Sequence, residues 1–283
     1  MYRAGNSGTD IDWSCPVRWD HPLNQGLLAW YLFVPGAIGG STWINLADVP
    51  RWKMTLFGSI PTQTAWNDIP VRTGGWGGLK LAKTSSHYCE HFLPAVTAEP
   101  LSMTGWFRRT DTATNVIASI GTTGSSARHS LIANSVGPVV TATSVTSIGQ
   151  ASSASSAATA SASVWHHGAA VFAAAADRRA YVDGGGKGVE TTSRAVSGMN
   201  ATDIGTEYSL GSRINFFGGQ LDSIKIWNRV LSDADVLADY EEGKQHYPSL
   251  LNRVKRRRSY NAAAAAGGGF RSRIAGGLVV TAS

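Results

Sequence analysis

Short apolar runs, broken at near-regular intervals by Gly, Pro, Asn and Asp, pass along most of the chain. LLAWYLFV (residues 27–34) is continuous and ends at Pro35. It is too short for an ordinary helix and fits a strand buried on both faces. LSMTGWFRRT (residues 101–110) alternates instead: Leu101, Met103, Gly105 and Phe107 fall on one face, and Ser102, Thr104, Trp106 and Arg108 on the other. Residues 79–83, 87–93, 115–121 and 130–137 read as further strands at hairpin spacing.

The second half continues the pattern. Residues 164–173 form one predicted strand and 179–182 the next, turned back by Asp183-Gly184-Gly185 toward 187–191. Asp-Gly at a strand end signals a hairpin because the turn needs positive φ. YSLGSR (residues 208–213) and FFGGQLDSIKIWN (residues 216–228) give two more strands. In the last, strict alternation puts Leu221, Ser223, Lys225 and Trp227 on one face and Asp222, Ile224 and Ile226 on the other. Neither face is cleanly polar, as for a strand covered on both sides. Gly218 and Gly219 would let its start approach a neighbour closely.

One helix is predicted, at LSDADVLADYEEG: Ser232 is the N-cap, Asp233 and Asp235 occupy the first turn, where the helix dipole favours anions, and Gly243 closes it. Residues 141–163 are rich in Ser, Ala and Thr. They read as a strand to about Ile148 and then a flexible loop, because such side chains bury too little to offset their ordering entropy. The fold class is all-β: an antiparallel sandwich over residues 26–245 with one short C-terminal helix. An extended N-terminal arm (1–25) and a basic C-terminal arm with an Ala/Gly linker (246–283) flank it.

Composition supports this class. Charged residues are 16% of the 283, below the usual quarter, while Gly (32) and Trp (10) are abundant. The net charge of +6 is unevenly held: residues 251–283 carry seven basic residues and no acid, leaving 18 basic against 19 acidic in the other 250. Two cysteines, Cys15 and Cys89, provide neither a disulfide framework nor a CxxC metal pattern and read as reduced thiols. The first residues lack the apolar stretch of a signal peptide, and no apolar run reaches the ~18 residues of a membrane span, so synthesis in a cytoplasm is expected and a membrane partner is not.

WHHGAAVF, RRAYVDGG and YSLGSRINFFGGQLDSIKIWNRVLSDADVLADYEEG, within residues 164–243, resemble the C-terminal half of laminin-G-like (concanavalin A-like) jelly-roll domains. WDHPLNQGLLAWYL and YPSLLNRVKRRRSY look like the framing of such domains in structural proteins of tailed bacteriophages. The resemblance implies a non-enzymatic virion protein, as a capsid decoration, head fibre or tail-appendage component. Its partners would be other virion proteins and further copies of itself. The alternative is a carbohydrate-binding adhesin for host-surface glycans.

Glucanases of this fold family carry their carboxylates on one strand as E-x-D-x-x-E, and none of Glu90, Glu99, Glu190, Glu207, Glu241 and Glu242 has that spacing. No GxSxG elbow is present. Calcium, bound by laminin-G-like domains at a rim through hard oxygens, has the candidates Asp183, Asp203 and Asp222, with Asp183 also readable as a turn residue and Asp222 as a backbone or cross-strand partner. His166 and His167, adjacent on a strand, face opposite sides and do not readily chelate one ion. His87 and His91 share a face but sit about 13 Å apart by strand rise. Trp43, Trp52, Trp66 and Trp76 lie in loop-rich sequence; Trp66 and Trp76 are the candidates for stacking a sugar, against the alternative that they fill a core or interface. Arg253, Lys255, Arg256, Arg257, Arg258 and Tyr260 are the docking candidates, read as an assembly arm for an acidic subunit surface rather than a nucleic-acid site, since no recognition fold accompanies them.

Overall fold

The structure, a computed structural model, describes residues 9–11, 16–32, 38–39, 42–47, 53–58, 78–245, 249–251 and 253–255. In chain order the strands of the first half are β1 (Thr9–Ile11), β2 (Leu27–Tyr31), β3 (Ile38–Gly39), β4 (Thr42–Trp43), β5 (Met54–Phe57), β6 (Leu79–Leu81), β7 (Tyr88–His91), β8 (Leu101–Arg109), β9 (Asn115–Gly121) and β10 (Arg128–Ala133). Those of the second half are β11 (Val139–Val145), β12 (Ala151–Thr159), β13 (His166–Ala174), β14 (Asp177–Val182), β15 (Gly185–Glu190), β16 (Ala201–Ile204), β17 (Glu207–Ser209), β18 (Ser212–Ile214), β19 (Gly219–Trp227) and β20 (Arg253–Lys255), with helix α1 (Asp233–Lys244) between the last two.

Two antiparallel sheets face each other. One has nine strands in the order β12-β11-β10-β9-β16-β7-β5-β4-β3; the other runs β15-β14-β13-β8-β19-β2, with β6 also paired to β19. This is the expected all-β antiparallel sandwich with one short C-terminal helix. Alternation along β8 falls as the sequence predicts: Phe107 opposes Leu221, Met103 opposes Ile226, and both point to the core, while Trp106 opposes His167 on the outer face. The facing sheet contributes an inner rung of Leu56, Cys89, Ile204, Ala118, Leu131, Ala142 and Ala154. Trp30, Trp43 and Trp227 are fully buried. Each such ring removes about 150–250 Å² from water, on the order of 4–6 kcal/mol at ~25 cal/mol per Å². Trp43 is thus a core residue in β4, its indole N–H donating to the Leu32 carbonyl at 3.1 Å.

Helix α1 covers the outer face of the seven-stranded sheet. Ser232 caps it with a full capping box: its hydroxyl accepts from the Asp235 amide, and the Asp235 carboxylate accepts from the Ser232 amide. Gly243 does not end the helix, which continues to Lys244. Among the described residues no helix is long and apolar enough to cross a membrane.

Two further expectations are corrected. Residues 151–159 are not a loop but the edge strand β12, paired with β11 from Thr141↔Ser155 to Val145↔Ala151. Small side chains are a packing requirement there, because β12 meets β15 at backbone distance: a Cβ on Gly188 would sit 1.6 Å from the Ser155 carbonyl oxygen. In β19 the alternation breaks at Ser223, which takes φ 51° and shifts the register with β8 between Asp222 and Lys225. Leu221 therefore shares the core face with Ile224 and Ile226, and Asp222 shares the outer face with Lys225 and Trp227.

Candidate functional site

On the outer face of the nine-stranded sheet, register alone assembles a polar rung. Asp203 of β16 opposes Glu90 of β7 on one side and Ser119 of β9 on the other. The rung extends through Ser130, Thr143 and Ser153 toward β12 and through Thr55 toward β5. Across it lies the β17–β18 hairpin, whose turn holds Leu210 and Gly211 at positive φ.

Arg213 of β18 ties the hairpin to the sheet. Its Nη1 lies 2.7 Å from Asp203 Oδ1 and its Nη2 2.6 Å from Glu90 Oε2. Its guanidinium carbon sits 3.9 Å from the Tyr88 ring centre and 4.2 Å from that of Tyr208, and its Nη2 donates to the Tyr208 hydroxyl at 2.7 Å. Tyr88 stacks on Phe57 at 4.7 Å and meets Phe216 at 6.1 Å. Next to this group, Glu207 of β17 pairs with Arg128 (2.9 Å) and accepts from Ser130 (2.6 Å) and Asn215 (2.8 Å). Three carboxylates and two guanidiniums thus share one patch, with half-buried aromatic rings beside it.

Burial dominates the electrostatics. It pushes the Asp203 carboxyl up to about 7, against the opposing pull of Arg213. Asp203 Oδ2 is buried with no hydrogen-bond partner among the described residues, which suits a protonated acid. Burial likewise raises the hydroxyls of Tyr88 and Tyr208. Glu90 and Asp203 are 2% and 0% exposed, sealed under Arg213, so the half-buried rings and not the carboxylates face solvent.

The sequence-derived candidates are scattered. Asp183 sits at φ 51° in the β14–β15 turn; its Oδ2 lies 2.7 Å from His166 Nδ1 and its Oδ1 accepts the His167 amide at 2.8 Å. Asp222 faces outward from the other sheet, opposite Trp106. Asp183, Asp203 and Asp222 do not converge, and no group of three or more His, Cys, Asp or Glu is set to hold a metal among the described residues. His166 and His167 do face opposite ways: His166 meets Asp183, and His167 Nε2 lies 3.1 Å from Asp239. Cys89 is a free buried thiol in the inner rung, pushed up by burial. Arg253 and Lys255 lie in β20, which pairs with β1. Arg256, Arg257, Arg258, Tyr260, Trp52, Trp66, Trp76 and Cys15 fall outside the described residues.

Tyr88, Glu90, Tyr208 and Arg213 were missed as a set. The available signals were slight: Tyr88 and Glu90 flank an apolar Cys89 in YCEH, and Tyr208 and Arg213 bracket the Leu-Gly turn of YSLGSR. Their convergence depends on pairing between segments more than a hundred residues apart.

None of the curated proteins matches the sequence. Among solved structures, the chain is similar to the receptor binding domain of botulinum neurotoxin type G, at 15% identity and a TM-score of 0.53, covering 77% of this chain and 51% of that one. It is also similar to the receptor binding domain of botulinum neurotoxin mosaic serotype C/D, at 14% identity and 0.52, covering 77% and 51%. The chain spans about half of each of these receptor binding domains. A carbohydrate-binding CBM40 domain of the Ruminococcus gnavus IT-sialidase, solved with α2,3-sialyllactose, matches at 16% identity and 0.44, covering 51% of this chain and 84% of that one. The two receptor binding domain matches show the fold alone. The family model of the concanavalin A-like lectin/glucanases superfamily matches residues 83–237, more than half of the chain, and the chain belongs to that family.

Proposed function

We propose that the chain is a non-enzymatic structural protein of a tailed-bacteriophage particle, made in the host cytoplasm and docked through its terminal arms onto other virion proteins. The observation that carries this reading is the meeting of the two arms. Strand β1 pairs antiparallel with β20 (Ile11↔Arg253, Asp10↔Val254, Thr9↔Lys255) in a two-stranded ribbon outside both large sheets. The ribbon joins the sandwich through the Val17↔Leu251 bridge and the Arg18 amide, which donates to the Leu250 carbonyl at 2.9 Å. Leu250 and Leu251 are core residues, so the ribbon is anchored where it leaves the sandwich. It carries Arg253 and Lys255 and is followed in sequence by Arg256, Arg257 and Arg258, a basic run suited by charge to an acidic subunit surface. Several copies presented together on a particle would dock with avidity.

The test is deletion of residues 256–283, which leaves Leu250, Leu251 and β20 in place. The expected result is unchanged thermal unfolding with loss of incorporation into purified particles. Normal incorporation would refute docking through the tail.

The polar-aromatic face favours a second reading, recognition of host-surface glycans. Tyr88, Tyr208, Phe57 and Phe216 present half-buried rings beside polar side chains, the combination on which sugars stack. Screening against host glycans, with Tyr208→Ala as the control, checks it: binding lost in the variant supports a sheet-face site, and no binding by the parent protein removes it.

A further inference from the structure

Five loops close one end of the nine-stranded sheet: residues 92–98 after β7, 122–127 between β9 and β10, 146–150 between β11 and β12, 195–200 before β16, and the 209–212 hairpin tip. The register sets them side by side: His91 opposes Thr202, Gly121 opposes both Ala201 and Arg128, and Val145 opposes both Arg128 and Ala151. Four large apolar side chains stand out from this rim. Phe92, Leu93, Ile148 and Leu210 are 65%, 58%, 78% and 75% exposed. We propose that the rim is a self-association surface, on which a second copy of the chain packs about a two-fold axis. It uses neither the terminal arms nor the Tyr88 and Tyr208 rings, so it stands apart from docking through the arms and from glycan recognition.

Charge selects the partner. None of the residues in the five loops is charged, although 16% of the chain is. Of the charged residues that flank the loops, Arg128 pairs with Glu207 at 2.9 Å, Arg213 pairs with Asp203 and Glu90, and Glu99 lies 3.4 Å from His129, leaving Arg194 half-buried at the border. In a two-fold interface a patch meets its own image, so a charge on it meets its like. An uncharged rim carries no such repulsion, whereas an acidic or basic partner would find nothing in it to pair with. The size fits as well. A standard interface uses roughly 20–30 residues a side, and the five loops together hold a comparable number. The four strand steps from β7 to β11 span about 19 Å at ~4.8 Å each.

The rim is held in place before any partner arrives. The Thr123 amide donates to Asn200 Oδ1 at 2.9 Å, the Asn200 amide to the Gly121 carbonyl at 2.8 Å, the Ala95 amide to Thr202 Oγ1 at 2.8 Å, and the Leu210 amide to the Ser125 carbonyl at 3.2 Å. Loops tied to one another lose less freedom on association. Val96 and Met199, from the same loops, are buried in the core, so the four exposed side chains are not the ones that anchor the rim.

Leu210 shows that their exposure is not incidental. Ser209 opposes Ser212, so Leu210 and Gly211 form a two-residue hairpin turn, at φ 50° and 80°. Such turns favour Asn-Gly, because both residues need positive φ, which a leucine rarely adopts. In the monomer this leucine strains the backbone and leaves its side chain in water. A partner that covers it supplies the missing gain. Leu210 also lies between Phe92 and Leu93 on one side and Ile148 on the other, so a two-fold axis beside it sets Leu210 against its own copy and Ile148 of one copy toward Phe92 and Leu93 of the other.

The experiment is sedimentation velocity of the full chain over a concentration series, repeated with Leu210→Asn/Ile148→Asn and with Leu210→Lys and Leu210→Glu, alone and mixed. The expected result is reversible self-association of the parent protein and at least tenfold weaker association of the Asn double variant. Its melting temperature should not fall below that of the monomeric parent, because Asn suits the turn. Leu210→Lys and Leu210→Glu should each associate weakly alone and recover association when mixed, as opposite charges meet across the axis. A parent protein that stays monomeric throughout, or association undiminished in the Asn double variant, would overturn the proposal. Binding of a monomeric parent to phosphatidylcholine vesicles, lost in the double variant, would overturn the second copy in favour of a bilayer. No recovery on mixing would overturn the two-fold axis beside Leu210. Should the double variant misfold, Leu210→Asn alone replaces it with the same expectation.

Discussion

Lys225 and Asp239 form an ion pair, Nζ to Oδ1 2.5 Å, with both side chains fully buried between the seven-stranded sheet and helix α1. Asp239 Oδ2 accepts from Thr104 at 2.7 Å and lies 3.1 Å from His167 Nε2, and the ammonium sits 4.0 Å from the Trp30 ring centre. Removing one partner leaves a buried charge uncompensated. Asp239→Ala is therefore expected to cost about 3–5 kcal/mol in urea unfolding, and Lys225→Met/Asp239→Leu to recover most of it. Burial pushes the Asp239 carboxyl up, but Lys225 and His167 outweigh it and hold the group well below the usual range. The stability it confers is thus complete above about pH 4 and is lost as pH falls further.

Asp203 has the opposite sign. Its folded carboxyl is raised to about 7, chiefly by burial, so between about pH 4 and 7 the folded state holds a proton that the unfolded chain has lost. Stability from this site is greatest at low pH and declines toward 7. Asp203→Asn keeps a neutral side chain at all pH values. The melting temperature of the parent protein is expected to fall further between pH 5 and 8 than that of the variant; equal falls would show that Asp203 does not titrate there.

Strand β8 was legible because nothing interrupts its alternation. Strand β19 was not, because one residue, Ser223 in the left-handed region, moves Leu221 across to the face of Ile224 and Ile226. Serine carries no signal for that conformation. Strand β12 was misread for a different reason: its composition offers little to bury, but pairing with β11 and contact with β15 stabilise it from outside the segment. The Arg213 patch was illegible because Glu90, Asp203 and Arg213 meet only through strand order. The Ser232 cap, a purely local interaction, could be read from four residues.

That cap gives a local prediction. Ser232→Ala removes the bond to the Asp235 amide at 3.1 Å and loosens the reciprocal bond at 3.0 Å. The expected loss is about 1 kcal/mol in denaturant unfolding, while Ser232→Asp, which keeps an acceptor and favours the dipole, stays within about 0.5 kcal/mol of the parent protein. Arg229, 2.9 Å from Asp235, holds the same turn, so a loss well below this range in Ser232→Ala would mean that the ion pair suffices without the cap.

Gly188 and Gly185 test the close approach of the two sheet edges within one strand. A Cβ on Gly188 would lie 1.6 Å from the Ser155 carbonyl oxygen and 2.6 Å from its carbon, whereas a Cβ on Gly185 would meet nothing within 4 Å. The obstacle at Gly188 is backbone, which cannot rotate away, so β12 and β15 must part. Gly188→Ala is expected to cost at least about 1–3 kcal/mol and to speed amide exchange along β12, whose hydrogen bonds to β11 would be strained as the edge shifts. Gly185→Ala should stay within about 0.5 kcal/mol. If Gly188→Ala is equally silent, the edges are not in backbone contact in solution, and the Ser/Ala/Thr composition of β12 loses the packing explanation offered for it.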